Sequence, residues 1–222
     1  MMMNKFIFSF LLLIPFNAFA WSCLQQTPLG ENELNVLQMA STKTQNFCLL
    51  LKKQDDGVTL KYQVQKIDIL DNQSKKIVQS IGLKDTDFVL MEPNQILNVD
   101  DYNFDGSPDI SLPTSDGGIG PNNINAFFIF DPKEHKYNLN KFLSELSQPV
   151  LNKKEKYIES SFRDGCCSRY TERYKVQGNN FVKIYTKTEN LTDDGKYIES
   201  SVGTLVKGHF KYKVNKIKAP QD

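Results

Sequence analysis

The chain has 222 residues, with 27 basic and 26 acidic side chains and a formal net charge of +1. Such balance excludes the basic excess that a nucleic-acid or anionic-surface partner demands. The length suits one sizeable core or two small ones.

Residues 1–20 read as a cleavable secretory signal. Lys5 is the one charge in the segment, and Phe6-Ile7-Phe8-Ser9-Phe10-Leu11-Leu12-Leu13-Ile14 is an uncharged run, apolar but for Ser9. Pro15 ends it, and Ala18-Phe19-Ala20 sets small residues where a signal peptidase reads. The run is shorter than the roughly 20 apolar residues that span a bilayer, so stable membrane insertion is not expected. Cys23 follows Ala20-Trp21-Ser22, which lacks the aliphatic residue and the small pair expected before a lipidated cysteine. The remainder, residues 21–222, is expected to be a single, monomeric, mostly-β domain in the periplasm or outside the cell.

All 4 cysteines, Cys23, Cys48, Cys166 and Cys167, lie beyond the signal. An even count in an exported chain favours disulfides. Cys23–Cys48 with a vicinal Cys166–Cys167 bond is the preferred arrangement; cross-pairing of each vicinal cysteine with Cys23 or Cys48 is the alternative.

Residues 30–41 suit a helix or a strand. Beyond them, strand signals recur. Val58, Leu60, Tyr62 and Val64 alternate with polar residues, the period of a half-buried strand, and Phe210, Tyr212 and Val214 repeat the pattern. Turn pairs at Asp56-Gly57, Asp71-Asn72, Gly178-Asn179 and Asp194-Gly195 punctuate two antiparallel meanders, residues 47–81 and 157–217. The fold class is therefore all-β, a sandwich or propeller-like arrangement, with one short helix. That helix runs from Asn140 to about Ser147: Asn140 caps it, Phe142, Leu143 and Leu146 form its apolar stripe, and Pro149 stops it. Lys156-Tyr157-Ile158-Glu159-Ser160-Ser161 returns as Lys196-Tyr197-Ile198-Glu199-Ser200-Ser201. The spacing suits a propeller blade, and one six-residue match also suits two similar strands in adjacent hairpins.

The stretch that carries chemistry is Asp101-Tyr102-Asn103-Phe104-Asp105-Gly106-Ser107-Pro108-Asp109. Oxygen-bearing side chains at alternate positions of a tight loop can converge on a hard cation, and calcium accepts such mixed oxygen donors. Asp101, Asn103, Asp105, the Ser107 carbonyl and Asp109 form the expected ligand set, with Gly106 allowing the turn. The flanks read as strands and Leu112 stands where an EF-hand has its glutamate. The loop is thus similar to the strand–loop–strand calcium hairpins of integrin-like propeller repeats. The 2 histidines, His135 and His209, stand outside metal-ligand spacing. The sequence holds no nucleophile elbow and no phosphate-cradling loop. Cys166 and Cys167 lack redox Cys-x-x-Cys spacing. No catalytic residues are assigned, and the chain is not read as an enzyme.

From residue 98 to 184 the order of features resembles the calcium-bearing, propeller-like lysozyme inhibitors of the bacterial cell envelope. The acidic loop is followed by the glycine-rich segment Asp116-Gly117-Gly118-Ile119-Gly120-Pro121. Next come the aromatic strand Phe127-Phe128-Ile129-Phe130-Asp131-Pro132, the short helix, Gly165-Cys166-Cys167, and Glu172 with Tyr174 before Gly178. The resemblance implies one structural calcium and a loop that blocks the cleft of a lysozyme-type glycoside hydrolase, protecting the cell from it. Asp116, Gly117, Gly118, Ile119, Gly120, Asn122 and Asn123 are the residues so implicated, with Ile119 and the two asparagines at a tip that lacks an aromatic. The calcium hairpin would brace that loop, and loops 115–125 and 163–169 would form the partner-facing surface. The competing reading is a calcium-stabilised envelope module that binds a glycan or protein without catalysis.

Overall fold

The computed structural model describes residues 30–38, 42, 44–84, 86–115, 123–178 and 180–220. The signal at 1–20, Cys23 and most of the glycine-rich loop, residues 116–122, lie outside the described residues.

Three antiparallel meanders follow one another along the chain. The first sheet holds β1 (Glu33–Gln38), β2 (Gln45–Asp55), β3 (Leu60–Asp71) and β4 (Ile77–Gly82) in sequence order. The undecided segment 30–41 therefore contributes a strand. A 3-10 turn, Pro93–Gln95, leads into the second sheet of β5 (Asn98–Asp100), β6 (Asp109–Ser115), β7 (Ile124–Asp131) and β8 (Lys136–Leu139). Helix α1 (Lys141–Ser144) bridges to the third sheet. That sheet comprises β9 (Val150–Asn152), β10 (Tyr157–Asp164), β11 (Ser168–Gln177), β12 (Asn180–Leu191), β13 (Tyr197–Val206) and β14 (His209–Lys218), again in sequence order. The all-β class holds; among the described residues the sheets close into neither a barrel nor a propeller ring.

The layering follows from side-chain alternation. On β2, Phe47, Leu49 and Leu51 are fully buried and share one face. On β3 the inward set is Tyr62 and Val64, then Ile67 and Ile69. The register shift opposite Leu50/Leu51 inserts one residue and resets the phase from even to odd. These residues pack against Ile110 and Leu112 of β6, Ala126 and Phe128 of β7, and Tyr137 of β8. Phe127 points the other way on β7, into a second cluster with Tyr102, Leu143, Leu146, Ile158 and Tyr174. The second sheet is therefore covered on both faces and forms the middle layer. Each such fully buried large side chain contributes about 1.5–3 kcal/mol.

Helix α1 is shorter than its sequence pattern suggested. Asn140 caps it as expected, its side chain accepting from the Leu143 N–H at 3.0 Å. Leu143 and Leu146 are buried in the second core, while Phe142 packs edge-on to Tyr174 and stacks on Phe181.

Two expectations change, and one open alternative is decided. Val58 is 91% exposed in the β2–β3 turn, so the buried alternation starts at Tyr62. The six-residue echo falls on β10 and β13, in the neighbouring β10–β11 and β12–β13 hairpins of one sheet, which is the second of its two readings and not a pair of successive blades. β14 forms, yet Tyr212, Val214 and Ile217 are 63%, 69% and 54% exposed, because the third sheet extends past the layer that covers it. A further hairpin turn, Lys207-Gly208, joins β13 to β14; both residues have positive φ, +51° and +81°. This is the two-residue turn whose twist matches the strands.

Cys166 and Cys167 are disulfide-bonded to each other at the β10–β11 turn, which excludes their cross-pairing with Cys23 or Cys48. Cys48 is itself in a disulfide, and Cys23, its expected partner, lies outside the described residues.

Candidate functional site: an acidic hairpin and a cleft at opposite ends of the middle sheet

The acidic loop joins β5 to β6 as a strand–loop–strand hairpin, with Asp100 opposite Asp109 in register. Within it the carboxylates hold the loop's own amides. Asp101 accepts from the Asp105 and Gly106 N–H groups at 3.0 and 2.9 Å. Asn103 accepts from the Asp105 N–H at 3.1 Å and donates its amide to the Asp105 carboxylate at 2.8 Å. Asp105 accepts from the Ser107 N–H at 2.7 Å. Gly106, at φ +90°, occupies backbone space that side-chain-bearing residues rarely adopt.

Asp109 differs from its neighbours: it is fully buried. One carboxylate oxygen accepts from the Tyr102 N–H at 2.8 Å, and the other from the Phe130 N–H at 2.8 Å. Loss of solvation pushes its carboxyl up to about 7, against those two donors, and the charges of Asp105 and Asp101 push it the same way. Asp100 is ion-paired with Lys153 at 2.8 Å; among the described residues no such pair reaches Asp101, Asp105 or Asp109. The loop thus concentrates hard oxygen donors and uncompensated negative charge. This chemistry fits calcium and not a metal that prefers sulfur or imidazole. Among the described residues, no three His, Cys, Asp or Glu side chains are already gathered for a metal.

The glycine-rich loop leaves from the other end of β6. Ser115, where it starts, is registered with Ile124, where the chain returns on β7. That end, Ser115, is six residues along β6 from Asp109, about 20 Å at the rise of an extended strand. The acidic hairpin and the loop expected to meet a partner therefore lie at opposite ends of one strand pair. Any bracing passes along β6 and β7.

Asn123, the described residue of that loop, accepts the Gln148 N–H through its carbonyl at 3.1 Å, and Ile124 bridges to Ser147. Ser147 in turn accepts from the Ser160 hydroxyl at 2.7 Å, so β10 runs alongside. Ile124, Glu145, Leu146, Ser160, Phe162 and Glu172 line a cleft of about 330 Å³ there. Beyond it β10 and β11 continue to the Cys166–Cys167 turn, with Phe162 and Tyr170 stacked at 4.6 Å. The described attachment points of the segment 115–125, Ser115 and Ile124, thus stand at the same end of the molecule as the segment 163–169. Sequence reasoning missed the Phe162–Tyr170 pair. Its signal was two aromatics placed symmetrically about Cys166, the middle of the Gly165-Cys166-Cys167 turn.

No family model matches the chain, and no curated protein matches it. Among solved structures it is similar to one titled "Structure of a Xanthomonas Type IV Secretion System related protein". That likeness has a TM-score of 0.48 at 17% identity, covering 85% of this chain and 97% of the other.

Proposed function

We propose that this is an exported, calcium-braced β protein that binds and inhibits a lysozyme-type cell-wall glycoside hydrolase. The observation that supports the reading is the convergence at one end of the molecule: Ile124, where the chain returns from the β6–β7 connection, and the β10–β11 hairpin flank one cleft on a layered scaffold. Loops on such scaffolds carry recognition. Asp101, Asn103, Asp105, Asp109 and the Ser107 carbonyl would hold calcium, whose charge would offset the crowded carboxylates. The residues 116–123 would then enter the hydrolase cleft, and a preorganised scaffold limits the ordering cost of that contact.

The test is turbidity clearance of peptidoglycan by purified wall hydrolases with and without the protein. Inhibition that is lost when residues 117–123 are replaced by a short linker, with the melting curve preserved, supports the reading. Absence of both binding and inhibition at micromolar concentration rejects it. A second reading, an envelope module that binds a glycan without inhibiting any enzyme, draws on the stacked Phe162–Tyr170 pair, since aromatic faces suit sugar rings. Binding of a soluble glycan by the linker-replaced variant would favour it.

A further inference from the structure

The C-terminal strand β14 is an outer strand of the third sheet and, at 10 residues, the longest outer strand among those described. The other outer strands, β1, β4, β5, β8 and β9, have between 3 and 6 residues. Long exposed edges invite another chain to pair. The two-residue turn at Lys207-Gly208 makes Val206 and His209 the closing hydrogen-bonded pair. Counting from that pair, His209, Lys211, Lys213 and Asn215 direct their backbone groups to β13. Phe210, Tyr212, Val214 and Lys216 direct theirs outward.

The side chains sort by the same alternation. Lys211 and Lys213 project from one face, and Tyr212 and Val214 from the other, all exposed. Across the hairpin the one acidic residue, Glu199, pairs with Lys216 at 3.1 Å. A chain that is nearly neutral overall therefore concentrates positive charge along this edge. A second copy would set lysines against lysines, so self-pairing is disfavoured.

We infer that β14 is a docking edge for an extended segment of a partner protein whose residues alternate acidic and apolar. Such a segment would add as a further strand to the sheet. Its backbone would take the outward groups of Tyr212 and Val214. Its acidic side chains would meet Lys211 and Lys213 on one face, and its apolar ones would cover Tyr212 and Val214 on the other. This surface is independent of the cleft beside Ile124 and Phe162.

The experiment uses the full chain and a fluorescent synthetic peptide of alternating valine and glutamate, read by anisotropy. The comparisons are a peptide of the same composition in two blocks, an alternating valine–lysine peptide, and the valine–glutamate peptide N-methylated at every second residue. The expected result is binding of the alternating acidic peptide alone, weakened by salt. Binding should fall roughly tenfold or more in Lys211→Glu/Lys213→Glu. Val214→Pro should reduce it similarly, because proline removes one outward N–H while the bonds to β13 remain. Unchanged melting curves would show that both variants are folded. Equal binding of the block peptide, binding indifferent to Val214→Pro, or no binding by the wild type would overturn the inference. So would Lys211- and Lys213-dependent binding to phosphatidylglycerol vesicles that the alternating peptide fails to compete.

Discussion

The carboxylate of Asp109 accepts the backbone N–H of Phe130 at 2.8 Å, clasping the first residue of β6 to the end of β7. Its second oxygen holds the Tyr102 N–H, so one buried side chain joins the acidic loop to the middle sheet. Asp109→Ala leaves the buried Tyr102 amide and the partly buried Phe130 amide without this acceptor. The expected loss is about 2–5 kcal/mol, summing the cost of each orphaned donor. Denaturant unfolding in excess chelator measures this without a metal contribution. A loss below about 1 kcal/mol would show that the clasp is not a principal support.

Calcium binding predicts stabilisation by linkage, because the unfolded chain has no preformed site. At a free concentration a hundred times the dissociation constant the gain is about 2.7 kcal/mol. Chelator should lower the melting temperature of the wild type. Asp105→Ala should remove that sensitivity while melting close to the chelated wild type, since Asp105 is exposed and bonds only within its loop. A wild-type melting curve indifferent to chelator would reject a structural calcium.

Gly203 faces Tyr212 across the β13–β14 pair. A Cβ placed there would lie 2.6 Å from the Tyr212 ring and 2.9 Å from the Thr186 methyl. The exposed ring can swing aside, but the β-branched threonine is stiff. Gly203→Ala is expected to cost about 1–2 kcal/mol in chemical denaturation. Adding Tyr212→Ala should recover only part of that loss, and full recovery would assign the strain to the ring alone.

The β2–β3 turn carries a pH signature. Asp56 accepts from the N–H groups of Thr59 and Val58 at 2.6 and 2.9 Å and from the Thr59 hydroxyl at 2.8 Å. These bonds, chiefly that from the Thr59 amide, lower its carboxyl to about 2. A depressed carboxyl stabilises the fold above its unfolded pKa, near 3.9, and that contribution vanishes as pH falls through about 2. Asp56→Asn should therefore melt slightly below the wild type at neutral pH, and the gap should close between pH 4 and pH 2. A gap that persists at pH 2 would mean that the ionised carboxylate is not what fastens the turn.

Local patterns made much of this fold legible. Turn pairs at Asp56-Gly57 and Asp194-Gly195 delimit the hairpins where expected, and Asn140 caps its helix. Burial was less legible, because it depends on which layers meet. The run Ala126-Phe127-Phe128-Ile129-Phe130 is continuous because β7 is covered on both faces, the mark of a central strand. By contrast, Tyr212 and Val214 alternate as a buried face would, yet the neighbouring layer stops short of them. The oxygen-rich loop was readable residue by residue. Its distance from the glycine-rich loop was set by the seven residues of β6, a consequence of topology that motif spacing does not express.

That separation yields the sharpest functional expectation. If the acidic hairpin touched the hydrolase directly, Asp105→Ala would weaken inhibition at every temperature. On the proposed function, because Ser115, from which the partner loop leaves, and the acidic hairpin stand at opposite ends of β6, calcium would act on inhibition through the stability of the β6–β7 pair. Well below its melting temperature, the folded Asp105→Ala protein should inhibit with nearly the wild-type constant. As temperature approaches its lowered midpoint, inhibition should fall in step with the folded fraction followed by circular dichroism. Replacing residues 117–123 should instead abolish inhibition at all temperatures while leaving the response to chelator intact. Phe162→Ala, on the far wall of the cleft, should fall between: an unchanged calcium response and inhibition weaker by roughly tenfold, the effect of removing one aromatic anchor from an interface. Equal loss in Asp105→Ala and in the loop replacement, both measured far below their midpoints, would place the contact on the acidic hairpin and overturn this division of labour.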